Sequence, residues 1–465
     1  MTATPGHAAN PHPRRGHGTR PGRAGRPPVD GTPPTPPRGP LWVLLLGSTL
    51  TVLAGAVLAP VVELLRSDLG VSAGAAGLVL TAHGLSLALV GPLVGRAVDR
   101  WGVPGPLAAG LVVYGLAGGA GLLLDDYVWL VASRLVFGIG AAAVFTGTTL
   151  GLLDLAEGAA RDRMMGWRTT AISLGGVLWP LLGGALGTIS WHAPFAVYLV
   201  GVPLGLAALR LLSTTDASRP VPRAAPAPPV CSADAARPRP TGGAEETTAS
   251  AAVGDRVSVR PGSLLRGRPG LLGIYALQAV ATALLYGVLV FLPPRLAEVG
   301  VRDSFRVALF GALLSLVMSL TGLRFARVRA RLGWSGLLLL AFGAWTVALL
   351  VLALGTSPVP LLIAPAVFGF GMGLAVPALT VLAAEHAPAD RRGQATALLG
   401  TATFASQFGS PLLFGPVEAA TSPSGVFLAA AALAALTLLA VLATGRRLAN
   451  SGRSRGTFPS TRRWK

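Results

Sequence analysis

The run Leu41-Trp-Val-Leu-Leu-Leu-Gly-Ser-Thr-Leu-Thr-Val-Leu-Ala-Gly-Ala-Val-Leu-Ala-Pro-Val-Val62 carries no charged side chain over its whole length. A hydrocarbon core about 30 Å thick takes about 20 apolar residues of helix to cross, so this run spans a bilayer. It is too long for the apolar core of an export signal, and similar runs follow it where a secreted protein would become polar. Arg14, Arg15, Arg20, Arg23, Arg26 and Arg38, which precede it, therefore do not read as a twin-arginine leader.

Eleven further stretches qualify: 74–95, 105–124, 128–152, 168–189, 193–212, 270–292, 305–323, 335–354, 359–383, 395–416 and 424–444. Composition agrees, since the 465 residues are 52% hydrophobic and 12% charged, half the charge usual in a soluble domain. Glycine (61) and proline (38) are abundant but follow no triplet period, which excludes a collagen-like chain. Cys231 has no second cysteine to pair with, so there is no intrachain disulfide and no thiolate metal cage. Residues 213–269, rich in Pro, Ala, Ser, Thr and Arg, read as a flexible cytoplasmic linker. Residues 1–40 read as a disordered basic tail and 445–465 as a second basic tail. The predicted fold class is all-α: twelve transmembrane helices in two pseudo-symmetric six-helix bundles, 41–212 and 270–444.

A formal charge of +19 raises nucleic acid as a partner, and the placement of the charges removes it. With twelve spans, 33 of the 38 basic residues fall in the tails, the linker and the loops of one membrane face. Arg66, Arg295, Arg302 and Arg306 fall on the other, and Arg134 alone is left inside a span. The positive-inside rule makes both termini cytoplasmic.

Loop 2-3 reads Gly95-Arg-Ala-Val-Asp99-Arg100-Trp-Gly102, which resembles the G-x-L-a-D-R-x-G signature of the major facilitator superfamily. The resemblance implies a latch, Gly95 letting helices approach and Asp99 facing the positive N-terminus of span 11 when the cytoplasmic side is closed. The second-half equivalent keeps Arg331 and Gly333 but has Ala330 in the acid's place, so only one latch is expected. Arg134-Leu-Val-Phe-Gly138-Ile-Gly140-Ala is similar to the family's R-x-x-Q-G-x-G-A stretch, with Phe137 in the glutamine's place. Gly175-Gly-Val-Leu-Trp179-Pro180-Leu-Leu-Gly183-Gly184 resembles the G-x-x-x-G-P-x-x-G-G motif of the drug:proton antiporter branch, which implies export. Trp191-His192-Ala-Pro194-Phe195 and Ser406-Gln407-Phe408-Gly-Ser-Pro411 are similar to the same branch. A short repeat, Glu157 to Arg163 before span 5 and Glu385 to Arg392 before span 11, supports two related halves.

An arginine within a span costs about 2.5 to 3.5 kcal/mol on insertion scales, so Arg134 is expected to face the bundle interior or a watery cavity. Proton coupling is assigned to Arg134 by resemblance, and to His83 as the mid-membrane group that titrates near neutral pH. Glu63, at the outer end of span 1, is the third candidate. Tyr275, Gln278, Thr282 and Tyr286 recur on one face of span 7 and read either as a cavity wall or as hydrogen-bonded helix packing, with the cavity favoured. Trp179 and Gln407 join them as substrate-cavity candidates.

No catalytic constellation emerges. Gly369-Phe-Gly371-Met-Gly373 lies in an apolar helix with no strand before it, and His7, His12, His17, His83, His192 and His386 show no metal-ligand spacing. The expected protein is a monomeric, multi-pass transporter of the cell membrane, with no cofactor or metal, whose partners are a small molecule, protons and lipid. Proton-coupled efflux of a lipophilic or amphipathic compound is the leading reading. The alternatives are uptake or facilitated diffusion of a metabolite, and a transport-inactive sensor or scaffold.

Overall fold

The computed structural model describes residues 38–155, 158–217, 269–388 and 391–454. Most of the expected linker, both tail ends, Cys231 and Glu157 lie outside the described residues. In the first half, α1 (Arg38–Ala56) continues through a 3-10 turn (Ala59–Val61) into α2 (Val62–Leu69). Then come α3 (Ala73–Thr81), α4 (His83–Trp101), α5 (Pro104–Gly119), α6 (Tyr127–Asp154) and α7 (Gly158–Gly187). A 3-10 segment (Ala193–Val200) leads into α8 (Gly201–Ala217). The second half holds α9 (Pro269–Glu298), α10 (Ser304–Gly322), α11 (Phe325–Leu354), α12 (Pro358–His386), α13 (Arg392–Ala420) and α14 (Pro423–Ser454).

Among the described residues, eleven helical segments are long and apolar enough to cross a membrane. The expected eleventh span is present as α13 but is not one of them. It carries Gln394, Thr396, Thr401, Thr403, Ser406, Gln407 and Ser410 because it packs against α9 of its own half and α3 and α4 of the other, not chiefly against lipid. Several helices overrun their expected ends. α2 extends the first span to Leu69, α7 begins before Arg168, and α14 runs to Ser454, into the expected tail.

The ends are set by local chemistry. Asp126 caps α6, its carboxylate accepting from Val128 N at 2.9 Å and Trp129 N at 3.1 Å, and Asp303 caps α10 through Arg306 N at 2.8 Å. Pro104 and Pro358 stand in the first turns of α5 and α12, where a missing N–H costs nothing. The two halves share one unusual backbone feature. Gly102, closing α4, has φ 76° and ψ 174°, and Gly333, inside the α11 segment, has φ 66° and ψ −174°. This region is almost closed to residues with a Cβ. It explains why glycine ends the loop 2-3 motif and why Gly333 survives where the acid of that motif is lost, and it sets the true start of the ninth span after Gly333.

Loops 2-3 and 8-9 lie on the face from which α1 starts, here termed the terminal face; loops 1-2 and 7-8 lie on the far face. On the far side the halves touch closely. A Cβ on Gly74 would sit 2.9 Å from Gly415 Cα, and one on Gly184 would sit 2.7 Å from the Ser304 carbonyl oxygen. Gly77 meets Pro411, and Gly187 meets Ser304. Deeper in, Gly84 packs on Phe404 and Gln407, Gly176 on Ser315, and the Phe145 ring stands edge-on to Phe404 at 5.7 Å. Toward the terminal face, Leu89, Leu93 and Trp101 are exposed, and a Cβ on Gly91, Gly95, Gly393 or Gly400 would meet nothing within 4 Å. The halves are joined on the far face and parted on the terminal face.

Replacing Gly102 or Gly333 by alanine is expected to lower stability by about 1 to 3 kcal/mol through backbone strain alone. Thermal unfolding in detergent micelles would show this as a lower midpoint, with Gly91→Ala unchanged as the control.

Candidate functional site

Arg134 is fully buried in the first half. Its Nη2 donates to the carbonyl oxygens of Ala117 at 2.9 Å and Gly118 at 2.6 Å, at the C-terminal end of α5. These are carbonyls a helix end leaves without an intrahelical partner, at the negative pole of its dipole. Three rings surround the guanidinium, with its Cζ 4.9 Å from the Phe137 centroid, 5.0 Å from Phe195 and 5.2 Å from Tyr198. Phe137 thus supplies a π-face where the family has an amide. Tyr198 and Tyr114 donate hydroxyl hydrogen bonds to the carbonyls of Ala54 and Leu50, tying the box to α1. Arg134 thus faces the bundle interior and is fully enclosed rather than lining a watery cavity.

The second half repeats the device with a different helix. Arg295, on α9, donates from Nε to Leu352 O at 2.9 Å and from Nη2 to Ala353 O at 3.2 Å and Gly355 O at 2.6 Å, plugging the end of α11. Glu298 takes its Nη1 at 2.6 Å. Sequence reading set Arg295 in a loop because the α9 pattern loses apolar character at Pro293-Pro294, whereas the helix runs on to Glu298.

His83 and Gln407 meet across the two halves, Gln407 Nε2 lying 2.9 Å from His83 Nε2 with both side chains buried. The His83 ring stands edge-on to Phe137 at 5.5 Å, next to the Arg134 box. Glu63 is differently placed. Both its carboxylate oxygens accept from Arg66, at 2.7 and 2.8 Å, so it is committed to an ion pair on the far side.

The α7 motif lies where the helix meets α1 and α10. A Cβ on Gly183 would run into the Val57 carbonyl, and Gly184 packs on Ser304, Phe305 and Ala308 of the second half. Pro180 is buried in a continuous helix opposite Gly311. A Cβ on Gly175 would lie 3.2 Å from Thr49, and the Trp179 indole donates to Thr49 O at 3.1 Å. Trp179 is therefore a packing residue against α1.

The α9 stripe divides. Tyr275 donates to Ala395 O at 3.0 Å, and Gln278 Nε2 donates to Thr403 Oγ1 at 3.1 Å and reaches Thr282 Oγ1 at 3.3 Å. Tyr275 and Gln278 bind α9 to α13, the helix-packing alternative, and Thr282 pairs with Gln278 on α9 itself. Tyr286 reaches across to α1, 3.8 Å from a Cβ on Gly55. In loop 2-3, Asp99 and Arg100 are exposed, Arg100 lies over Trp101 at 5.9 Å, and Asp99 has no hydrogen-bond or ion-pair partner among the described residues. Gly95, expected at a close helix contact, faces open space because the halves are parted there.

Sequence reading missed Arg168. It was counted with loop 4-5, yet it lies within α7, half-buried, with its Cζ 5.6 Å from the Phe145 centroid. The signal that could have found it is the unbroken helical pattern from Gly158 onward, with no proline or turn before the apolar run.

Two sets of membrane-spanning helices, joined on one face and parted on the other around a seam, fit the architecture of a secondary transporter. The chain belongs to the major facilitator superfamily, whose family model matches residues 44–411 and 336–465. It is a multi-pass membrane transporter and not an enzyme. Multidrug resistance protein 1 of Bacillus subtilis (strain 168) is 27% identical over 182 residues, which cover 38% of this chain and 46% of that protein. Quinolone resistance protein NorA of Staphylococcus aureus is 26% identical over 168 residues, 36% of this chain and 42% of its own length. The matched part thus spans less than half of either relative. Among solved structures, the nucleoside transporter NupG superposes with a TM-score of 0.65 at 13% identity, covering 88% of this chain and 99% of NupG. A bacterial homolog of the human lysosomal transporter Spinster, inward-facing and occupied, gives 0.65 at 17% identity over 87% and 96%. At these identities both show the fold alone.

Arg134→Gln is expected to destabilise the protein by about 1.5 to 3 kcal/mol for each charge-assisted hydrogen bond lost at the α5 end. Unfolding midpoints in micelles would rank wild type above Arg134→Lys above Arg134→Gln; a ranking with Gln at wild-type level would remove the plug.

Proposed function

We propose that this protein exports a lipophilic or amphipathic small molecule across the cell membrane in exchange for protons, by alternating access between its two halves. The observation that carries this reading is the seam of α7 against α10. The glycine–proline stretch that resembles the antiporter branch is the stretch that closes the far face, and the two named relatives are resistance proteins. With both termini in the cytoplasm, as the charge distribution predicts, the parted face is the cytoplasmic one and the cavity is open to load from inside.

Asp99 belongs to the opposite state in this scheme. It stands exposed while the cytoplasmic face is parted and is free to meet the N-terminus of α13, which begins at Arg392, when that face closes. His83 is the coupling group this reading favours, because the side chain it hydrogen-bonds, Gln407, is on the other half, so its protonation state bears directly on the seam. Gly95, Arg100 and Gly102 shape the latch loop, and Tyr286 and Gln407 are the α9 and α13 candidates that remain at the seam.

A second reading, uptake or facilitated diffusion of a metabolite, is favoured by one observation: among the described residues no Asp or Glu is buried. Proteoliposomes separate the two. Acid-inside vesicles are expected to accumulate at least one of a panel of anionic, neutral and cationic lipophilic dyes; accumulation of none, in protein shown to be folded, overturns the antiporter. Asp99→Asn is expected to slow transport severalfold with unchanged membrane content. His83→Ala is expected to alter the pH profile of the transport rate, and an identical profile would clear that histidine.

A further inference from the structure

Three guanidinium groups lie within the helical segments away from the loops, and they are used differently. Arg134 and Arg295 each plug a helix end through carbonyl hydrogen bonds. Arg168 has no such partner. Its Nε and Nη2 are buried without a hydrogen bond, and it joins none of the ion pairs among the described residues.

Its position is particular. Arg168 lies on α7 two turns, about 12 Å, to the terminal side of Gly176, where α7 meets Ser315 of the other half. Its guanidinium sits against the Phe145 ring, and Phe145 in turn stands edge-on to Phe404 of α13. The group therefore lies beside an aromatic pair that bridges the two halves, at the inner end of the opening between them. Phe145 is 41% exposed, and Arg168 as a whole is half-buried, so both can turn toward that opening without crossing a packed core.

We infer that Arg168 with Phe145 and Phe404 forms a binding site for the carboxylate of an amphipathic organic anion, whose apolar body lies on the two rings. The free edge of the guanidinium specifies this chemistry. Nε and Nη2 present parallel N–H groups that match the two oxygens of a carboxylate. Arg66 uses the same two nitrogens, at 2.8 and 2.7 Å, to hold the Glu63 carboxylate in this protein. At Arg168 no acid among the described residues fills the position. The rings supply the apolar area that orients the remainder of the ligand. This rests on the transport reading above and sharpens its substrate class from lipophilic or amphipathic to anionic and amphipathic.

The test compares pyrenebutyrate with pyrenebutanol, which share one aromatic body, by binding to the full chain in phosphatidylcholine nanodiscs. Wild type is expected to bind pyrenebutyrate more tightly. Arg168→Gln should weaken pyrenebutyrate at least tenfold while leaving pyrenebutanol unchanged, and Arg168→Lys should restore part of the loss, since a point charge lacks the fork. Phe145→Ala should weaken both probes. Equal loss of both probes in Arg168→Gln, with Arg168→Lys no better, would show a structural role and overturn the site. So would a wild type that binds the alcohol as tightly as the acid. Loss of the preference when phosphatidylglycerol replaces part of the phosphatidylcholine would assign the edge to a lipid phosphate and overturn the substrate assignment. These measurements need no pH gradient, so an anion preference without gradient-driven uptake would retire proton antiport and leave the site standing.

Discussion

A guanidinium held in a membrane protein away from water must find acceptors or stay at an opening, and that constraint organises this fold. Arg134 meets it in part inside the first half: Nη2 bonds the carbonyls that end α5, while Nε and Nη1 make no hydrogen bond and the group lies among the rings of Phe137, Phe195 and Tyr198. The consequence is larger than one residue. Phe195 comes from the segment before α8, and Tyr198 of that segment is bonded to α1, so one buried charge draws together α1, α5, α6 and the entry to α8. Arg295 does the same work for α9 and α11. Each half thus has a rigid body organised on the far side of the membrane, which rigid-body rocking requires.

The contacts between those bodies are of another kind. Glycines make close contacts within the halves as well, as at Gly110 with Ala143 and Gly369 with Leu314, but only the halves' interiors add the buried arginines; between the halves the contacts are mostly glycine against backbone or small side chains, as at Gly74 with Gly415 and Gly184 with Ser304. Small residues let helices approach closely, so association comes from many weak dispersion contacts. Among the described residues the seam's one side-chain hydrogen bond is His83 to Gln407, and the charges that face one another across it are Arg66 and Glu63 with Glu418, at its far end. An interface built from ion pairs would be costlier to open in a low dielectric.

How far this was legible in the sequence depended on periodicity and on single-residue constraints. Apolar run length located eleven spans among the described residues because lipid demands about 20 apolar residues whatever the neighbours are, and the twelfth expected run, α13, is a helix of the same length but lower apolarity. Gly102 was legible because its backbone conformation admits almost nothing else. The α9 stripe was ambiguous in principle: Tyr275, Gln278 and Thr282 share a face, but only the position of α13 decides whether that face meets a helix or a cavity. Arg168 and Arg295 were assigned to loops because charge and proline mark where an apolar pattern stops. The helices run on because the arginines find rings or carbonyls there, and those partners come from other helices.

The same reasoning bears on which group carries the proton. A carboxylate serves as carrier when it can give up its counter-charge between states. Glu63 is held by Arg66 three residues away on the same helix, so the pair moves as a unit and rocking of the halves does nothing to separate it. His83 is the reverse case. Its partner Gln407 belongs to the other half, so alternating access as proposed above would part the two. A group whose hydrogen-bond partner changes with conformation is one whose proton affinity differs between the two states, and that difference is what thermodynamic coupling of protons to transport requires. Within the proton-exchange scheme proposed above, the seam residue rather than the acid is the candidate whose surroundings differ between the two states.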